Sequence, residues 1–572
     1  MKKHIKDIAV ILGLFFVTLW VCKDAFFYGV EMDEVLRLNP LFPLIGKTVP
    51  YPDQGLYYID LFGVRIPLVF KLYVSSAIML PYYPLTFFAD PFVGLRVMSG
   101  FYLFLAGVTV YLVAKKYSRI WAFLLALSIL MSPLLGAHLL VRQAQTYHII
   151  CYALSFYFIR KFLENNNQKN RNFIYVFFSS FFIFLAMNLE FYAAWSVVSL
   201  ALVVPLLCWP QVKAYFAEGK AKLIFLLGAV GCINFIWYNL ADGLPVLRTV
   251  YSYVFKIEEY NKEPIDGRNI VSLSEDFGSK WSSLRHYWGP SFRVFLLLFA
   301  IMAVITLICL FRDIKKKQKT HFLFYVPFFV TLFVCVFIFL SPKANRSGHF
   351  AHVHPFLNLC FFLLPVLVFN LKETKKWFFY FCSFLPIAFL GLNIVAVNAS
   401  LKNALVRYST GLWSSSFNTL NHYLEETPEV YNKMVVLNWG FSEQLFFLNK
   451  GQKLPVEFVF PVMMRASQSE MINDYQVFFE SVGSGEFFKY RHMDAKKEEL
   501  VFLKFIKGSA AAINRSNEAL EVFLKEKDGQ YEVLKEFADS DGTPLFHIIR
   551  LKNPEVFYNK VKGGANPSVV SK

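Results

Sequence analysis

The chain has 572 residues, 56% of them hydrophobic, with 65 Phe, 30 Tyr and a formal net charge of +17. Long runs of Phe, Leu, Ile and Val recur at close to the ~20 residues that cross a bilayer, which excludes a soluble globular protein and predicts a polytopic α-helical membrane protein. From Leu401 to Lys572 there are 21 Lys+Arg and 21 Asp+Glu, so the whole basic excess lies in the first 400 residues. There it sits in short loops, which reports membrane orientation and excludes a nucleic-acid partner.

The first apolar run, from about Ile8 to Trp20, follows Lys2, Lys3 and Lys6. Without a small-x-small cleavage site near Cys22-Lys23-Asp24, it is read as an uncleaved span with the N-terminus cytoplasmic. Residues 24–92 form a first outer loop. It opens with Glu31-Met32-Asp33-Glu34-Val35-Leu36-Arg37. Acids at a membrane boundary repel each other and lose hydration unless something cationic is meant to arrive there, although an Asp-Glu pair also caps helices. Within this loop Ile66–Phe88 is apolar but holds Lys71, Pro67, Pro81 and Pro84, and is expected to form helices lying at the outer interface.

Ten further spans are expected at about 93–114, 120–141, 144–162, 173–190, 192–210, 222–241, 291–312, 321–341, 353–371 and 377–398. That makes about eleven crossings and puts the C-terminus outside. The inner loops carry Lys115/Lys116/Arg119, Arg160/Lys161, Lys213/Lys220/Lys222, Arg312/Lys315–Lys317 and Lys372/Lys375/Lys376. The unusual polar and aromatic residues fall on the outer turns. All eight cysteines lie in or beside apolar runs and none in the last 170 residues, so no disulfide framework is expected.

After Ser400 the pattern changes. Val435–Leu437, Val456–Phe460 and Leu500–Ile506 read as strands, alternating with helices at about 441–449, 467–481 and 509–525. Tyr531–Phe537 and Leu545–Leu551 read as a closing hairpin through Asp541-Gly542. Residues 401–572 are therefore expected to be a soluble extracytoplasmic α/β domain, and residues 1–400 the transmembrane domain. The α/β part has no nucleophile elbow, phosphate loop or metal spacing.

Taken together, the N-in first span, the Met-Asp-Glu-Val-Leu-Arg motif just outside it, Phe92-Val93-Gly94-Leu95-Arg96-Val97, Ser132-Pro133 and Leu340-Ser341-Pro342-Lys343-Ala344-Asn345-Arg346 through Pro355 carry a resemblance. The order and spacing of these motifs, over about residues 5–400, resemble the GT-C superfamily of membrane glycosyltransferases. The nearer branch is that of protein O-mannosyltransferases and the lipid A aminoarabinose transferases.

The resemblance implies a transferase moving a sugar from a polyprenyl-phosphate donor to a lipid, glycan or protein acceptor. The reaction would take place on the outer face of a bacterial inner membrane, as part of cell-envelope glycan biosynthesis. It maps the catalytic base or acceptor-orienting acid onto Asp33, with Glu34 as the adjacent acid. A lipid-phosphate leaving group wants cations at the outer boundary, for which Lys343 and Arg346 come first and Arg285 and His286 second. Snorkelling and aromatic anchoring are the plainer account of those four.

Gln145 and His148 stand where many relatives have an acid, and can orient a sugar by hydrogen bonds. Glu190, in the next outer turn, is either the compensating acid or a turn residue in water. His349 and His352, with His354, are weak metal candidates because no acid accompanies them. The relatives' Glu before the interfacial helix is also missing in Phe62-Gly63-Val64-Arg65. A divalent metal thus stays open, and no nucleotide cofactor is expected. Two other readings use the same residues differently. An O-antigen-ligase-like transferase or polymerase would rely on Arg285 and His286. A lipid or glycan transporter would place charges in mid-span, where they are almost absent.

Overall fold

The computed structural model describes residues 2–23, 25–27, 35, 38–47, 57–61, 64–71, 74–75, 79–132, 144–164, 169–189, 193–217, 219–241, 278, 280–282, 284–285, 288–316, 324–340, 352–370, 375–407, 414–438, 441–453, 455–457, 467–491, 495–506, 511–539 and 541–562. The chain forms two compact units. Unit 1 comprises Met1–Ala25, Tyr51–Pro84 and Leu95–Asn403; unit 2 comprises Phe26–Pro50, Leu85–Gly94 and Ala404–Lys572.

Unit 1 is helical. In chain order it holds α1 (Lys2–Val21), α2 (Pro91–Ala114, whose first turn belongs to unit 2), α3 (Arg119–Leu130), α4 (Ala144–Glu164), α5 (Lys169–Leu189) and α6 (Ala194–Phe216). Then come α7 (Gly219–Leu227), a 3-10 turn Gly228–Cys232, α8 (Ile233–Ala241), α9 (Phe292–Lys315), α10 (Val326–Leu340), α11 (His354–Asn370) and α12 (Lys376–Arg407). Local chemistry sets several of these boundaries. Asp90 Oδ1 accepts from the Phe92 and Val93 amides at 2.8 and 3.4 Å, with Pro91 in the first turn, and so opens α2. Ser118 Oγ accepts from the Trp121 amide at 3.4 Å and opens α3. Between Pro205 and Pro210, α6 kinks at Cys208, which leaves helical geometry at φ −123°.

By length and composition, four described helices suffice to cross a membrane: Pro91–Ala114, Lys222–Leu240, Gly289–Lys315 and Lys376–Lys402. Shorter apolar helices lie at Arg119–Leu130, Phe173–Leu189, Ala194–Pro210, Val326–Phe339 and His354–Phe369. Their outward surface is apolar: Ile120, Leu206, Phe311 and Phe369 are each about 70% exposed. Polar groups turn inward instead. Ser128 Oγ donates to Asn358 Oδ1 at 2.5 Å and accepts from Asn393 Nδ2 at 3.0 Å, tying α3, α11 and α12 together. This polar-inside, apolar-outside arrangement is that of helices packed in lipid.

One sequence expectation is overturned. The apolar stretch read as interfacial helices begins as strands: β1 (Tyr57–Leu61), β2 (Val64–Lys71) and β3 (Val74–Ser75) form a three-stranded antiparallel sheet in the order β1-β2-β3. Leu61 pairs with Val64, and Ile59 with Ile66. Among the described residues of this stretch only Leu80–Phe87 is helical, as a 3-10 segment. Val64-Arg65-Ile66-Pro67-Leu68-Val69-Phe70-Lys71 is rich in β-branched and aromatic residues, and Pro67 cannot sit inside an α-helix without breaking it.

Unit 2 carries a 3-10 helix at Asn39–Ile45, then α13 (Ser416–Glu426), α14 (Pro428–Asn432), β4 (Met434–Val436), α15 (Ser442–Leu448), β5 (Val456–Glu457), α16 (Gln468–Ser484) and α17 (Glu486–Arg491). It closes with β6 (Val501–Phe505), α18 (Ala511–Glu526), β7 (Tyr531–Ala538), β8 (Pro544–Leu551) and α19 (Pro554–Lys562). The five strands order as β5-β4-β6-β8-β7, with β4 parallel to β5 and β6, and β8 antiparallel to β6 and β7. Val435, Phe502 and Ile549 of the sheet bury against Tyr475, Phe478 and Phe479 of α16, Phe523 of α18 and Phe557 of α19. The expected α/β alternation is present; α13, α14, α17 and α19 are additional.

Candidate functional site

The helices of unit 1 gather two chemically different groups of side chains at their alternate ends. At one end the α2–α3 connection and the end of α4 meet, and the start of α1 joins them. Asp7 of α1 accepts from Tyr111 Oη at 2.6 Å and Lys115 Nζ at 3.1 Å, and Arg119 Nε lies 3.5 Å away. The Arg160 guanidinium lies over Tyr117 and Tyr157 and donates to the Val113 carbonyl at 3.2 Å. Lys115, Arg119 and Arg160 thus each have an aromatic, carbonyl or carboxylate neighbour, which leaves little of them for a ligand.

The opposite helix ends carry tyrosine, tryptophan and histidine. They are the start of α2, the start of α4, the end of α5, the start of α6 and the start of α11. Tyr147 of α4 meets Tyr102 of α2 at a ring separation of 4.8 Å and Tyr82 at 6.0 Å. Tyr82 Oη shares a 3.2 Å hydrogen bond with Ser99 Oγ, and Tyr102 Oη donates to the Pro81 carbonyl at 2.5 Å. One residue along α4, His148 is buried, and its Nε2 lies 3.0 Å from the Ala186 carbonyl of α5. A carbonyl only accepts, so Nε2 carries the proton of this bond and a neutral His148 keeps Nδ1 as an acceptor.

His148 in turn faces His352, whose ring is 4.7 Å away and is bordered by Trp195 of α6 at 6.5 Å. Tyr152, one turn below His148, stacks on it and contacts Phe356 of α11. His354 is 1% exposed, and among the described residues neither of its ring nitrogens has a hydrogen-bond partner. The same holds for Thr146 Oγ1, Asn188 Oδ1 and Ser196 Oγ, all buried at these helix ends. Buried polar atoms are almost always satisfied, so several unsatisfied ones at one end of a bundle mark room for a polar ligand or ordered water. Two cations of unit 1 are also buried. Arg96 lies one turn before Ser99 on α2, and Lys280 Nζ donates to the Phe339 carbonyl at the end of α10, 3.1 Å away.

Of the residues singled out by sequence, His148 and His352 are brought together here, and Gln145 falls in the first turn of α4. Arg285 is exposed. Asp33, Glu34, Glu190, His286, Lys343, Arg346 and His349 lie outside the described residues. Among the described residues no three His, Cys, Asp or Glu side chains are grouped to hold a metal, so no step below is routed through one. Sequence reasoning did not nominate Tyr82, Tyr102, Tyr147, Trp195, Arg96 or Lys280. For Arg96 and Lys280 the available signal was a cation beside an apolar run, which is costly to bury without a use.

No protein-family model and no curated protein matches the sequence. Solved structures do match. ArnT from Cupriavidus metallidurans bound to undecaprenyl phosphate aligns over 96% of this chain and 98% of its own at 10% identity, with a TM-score of 0.50. The oligosaccharyltransferase of Archaeoglobus fulgidus in its apo form aligns over 97% and 77% at 12% identity, TM-score 0.48. The arabinofuranosyltransferase AftD from Mycobacteria aligns over 96% and 40% at 12% identity, TM-score 0.48. The near end-to-end alignment with ArnT speaks for the fold alone: this chain shares the fold of that ArnT structure.

Proposed function

We propose that the chain is a membrane glycosyltransferase that moves a sugar from a polyprenyl-phosphate donor to an acceptor hydroxyl at the extracytoplasmic face. The observation that carries this reading is the contact of His148 with His352, beside Tyr147 and its ring contacts with Tyr82 and Tyr102, at the bundle end opposite the Lys/Arg loops. Short basic loops stay cytoplasmic, so the histidine–tyrosine end is read as the outer one. Eleven crossings then leave the N-terminus inside and residues 401–572 outside, as an extracytoplasmic domain of a bacterial inner-membrane protein.

In this reading Asp33 accepts the acceptor's proton as its oxygen attacks the anomeric carbon. The bond from that carbon to the phosphate oxygen breaks, and its electron pair leaves with the lipid phosphate. Glu34 supports Asp33 and helps favour the positive charge that builds on the sugar ring. Lys343 and Arg346, with Arg285 and His286, neutralise the departing phosphate. Gln145, His148 and Glu190 orient sugar or acceptor, and the unsatisfied atoms of Thr146, Asn188 and Ser196 give a polyol further partners. ArnT, whose fold the chain shares, was solved with undecaprenyl phosphate bound, which supports a lipid-phosphate ligand.

The test is the lipid-linked sugar pool. Cells lacking the protein should accumulate a polyprenyl-phosphate sugar that the parent chain clears and Asp33→Asn does not. An unchanged pool in the deletion strain would reject the reading.

A further inference from the structure

Unit 2 contains a pocket of about 270 Å³, bounded by the 3-10 helix Asn39–Ile45, the segment leading into α2 and the loop after α15. Phe42 and Phe88 contribute apolar surface to it, and Lys47, Lys450, Thr86 and Gln452 line it as well; among the described residues no carboxylate does. The nearest acid in sequence, Asp90, uses its carboxylate to cap α2.

Some lysines of the unit are ion-paired and others are not. Lys433 pairs with Glu499 at 3.4 Å, Lys504 with Glu521 and Lys560 with Asp528. The side chains of Lys47 and Lys450 have no ion-pair or hydrogen-bond partner among the described residues. Nor is the pocket wall loose. Asn39 Nδ2 donates to the Glu443 carbonyl at 3.2 Å, and Phe42 packs edge-on against Phe446 and Phe447 at 5.8 and 6.0 Å. Lys450 is held at φ +56°, a left-handed conformation that costs a non-glycine residue, followed by Gly451 at φ +68° against Phe42. A strained cation, a second unpaired cation and neutral donors around an acid-free pocket on a rigid wall fit an anion with several acceptor oxygens.

We propose that this pocket binds a phosphate group, at a site separate from the histidine–tyrosine cluster. Its volume lies near the lower end of the ~300–1,000 Å³ usual for small-ligand sites, so it suits a headgroup or a small phosphate ester rather than a long glycan. The phosphate can come from solution or from a membrane lipid.

The full chain is assayed by thermal unfolding with two probes: inorganic phosphate in a neutral detergent, and phosphatidylcholine nanodiscs with and without phosphatidic acid. A ligand that binds only the folded state raises the midpoint. The parent should shift with at least one probe. Lys47→Gln/Lys450→Gln should lose most of that shift, Lys47→Arg/Lys450→Arg should keep it, and the Lys315→Gln/Lys316→Gln pair of unit 1 should respond like the parent. A shift with inorganic phosphate identifies a soluble source; a shift only with phosphatidic acid identifies a lipid. Equal shifts in the parent and the Gln pair, or no shift of the parent with either probe, overturn the proposal. The readout needs no sugar transfer, so it stands or falls apart from the transferase reading.

Discussion

The imidazoles of His148 and His352 face each other with centroids 4.7 Å apart and planes tilted by 60°, and a carbonyl of a third helix, Ala186, holds His148 in place. A ring fixed from two sides is oriented before any ligand arrives, as a sugar-positioning group must be. His352→Ala removes the ring between His148 and Trp195. It should lower transfer by about 10²-fold, the scale of a misplaced reacting group, while membrane insertion and detergent-extracted yield stay near the parent's. Transfer within twofold of the parent would show that this pair serves packing alone.

Asp33→Asn keeps the side-chain shape and removes the charge. A general base contributes roughly 10²–10⁴-fold, so under the proposed role of Asp33 the variant's kcat should fall by about that factor with the acceptor KM little changed. Glu34→Gln should fall less, since that acid acts beside the transferred proton rather than on it. Equal and small losses in both variants would assign the pair to helix capping.

The orientation can be tested with a membrane-impermeant thiol reagent on intact cells. All eight native cysteines lie in unit 1 and six are buried, so introduced thiols dominate labelling once Cys22 and Cys335 are replaced by Ser. Ser469→Cys, exposed at the start of α16, should label in intact cells; Lys316→Cys, at the end of α9, should label only after lysis. The reverse pattern places the histidine–tyrosine cluster on the cytoplasmic side and ends the proposed reaction.

Much of the architecture was legible because it rests on local signals. Apolar runs near bilayer length located the helices, and Asp541-Gly542 between two β-rich runs located the β7–β8 hairpin. Ile66–Phe88 was misread because apolar composition alone does not separate a strand from an interfacial helix. The evidence there was Pro67 within a β-branched run. α19 was missed for another reason: Phe557, Tyr558 and Val561 form a short apolar face whose meaning depends on the core it covers. In the site, His148 and His352 were each noticed for separate reasons, one for sugar and one for metal. Nothing along the chain says that they touch, or that Tyr82, Tyr102 and Tyr147, from three separate segments, join them. Such a cluster is made by helix packing and has no one-dimensional spacing.

Acid sensitivity of unit 2 should come in part from its hairpin turn. The Thr543 amide donates to Asp541 Oδ1 at 2.9 Å, and this bond holds the Asp541 carboxyl below its ordinary value of 3.8. Glu499 is likewise held below 4.5 by its bond to Lys433. A carboxyl lowered by folding stabilises the folded state above its unfolded pKa, and the contribution is lost as pH falls through the folded value. The thermal midpoint of the parent should therefore drop between about pH 5 and pH 3, and Asp541→Asn should drop less steeply over the same interval. Parallel curves would mean that the Asp541 charge does not stabilise the turn.

Two glycines of unit 2 separate backbone strain from steric overlap. Gly46 sits at φ +75° with nothing within 4 Å of where a Cβ would stand, whereas Gly451 sits at φ +68° with the Phe42 Cβ 2.5 Å from that position. Gly46→Ala should thus cost only the left-handed penalty, about 1–2 kcal/mol. Gly451→Ala adds a clash that Phe42 cannot easily relieve, because its ring is edge-on to both Phe446 and Phe447; the total should be about 2–4 kcal/mol. In thermal unfolding of the full chain the Gly451 variant should melt several degrees below the Gly46 variant. Truncating the obstacle with Phe42→Ala should narrow that gap in the double mutant, because the two changes share one contact. Equal melting of the two glycine variants would mean that Phe42 does not press on the loop carrying Lys450.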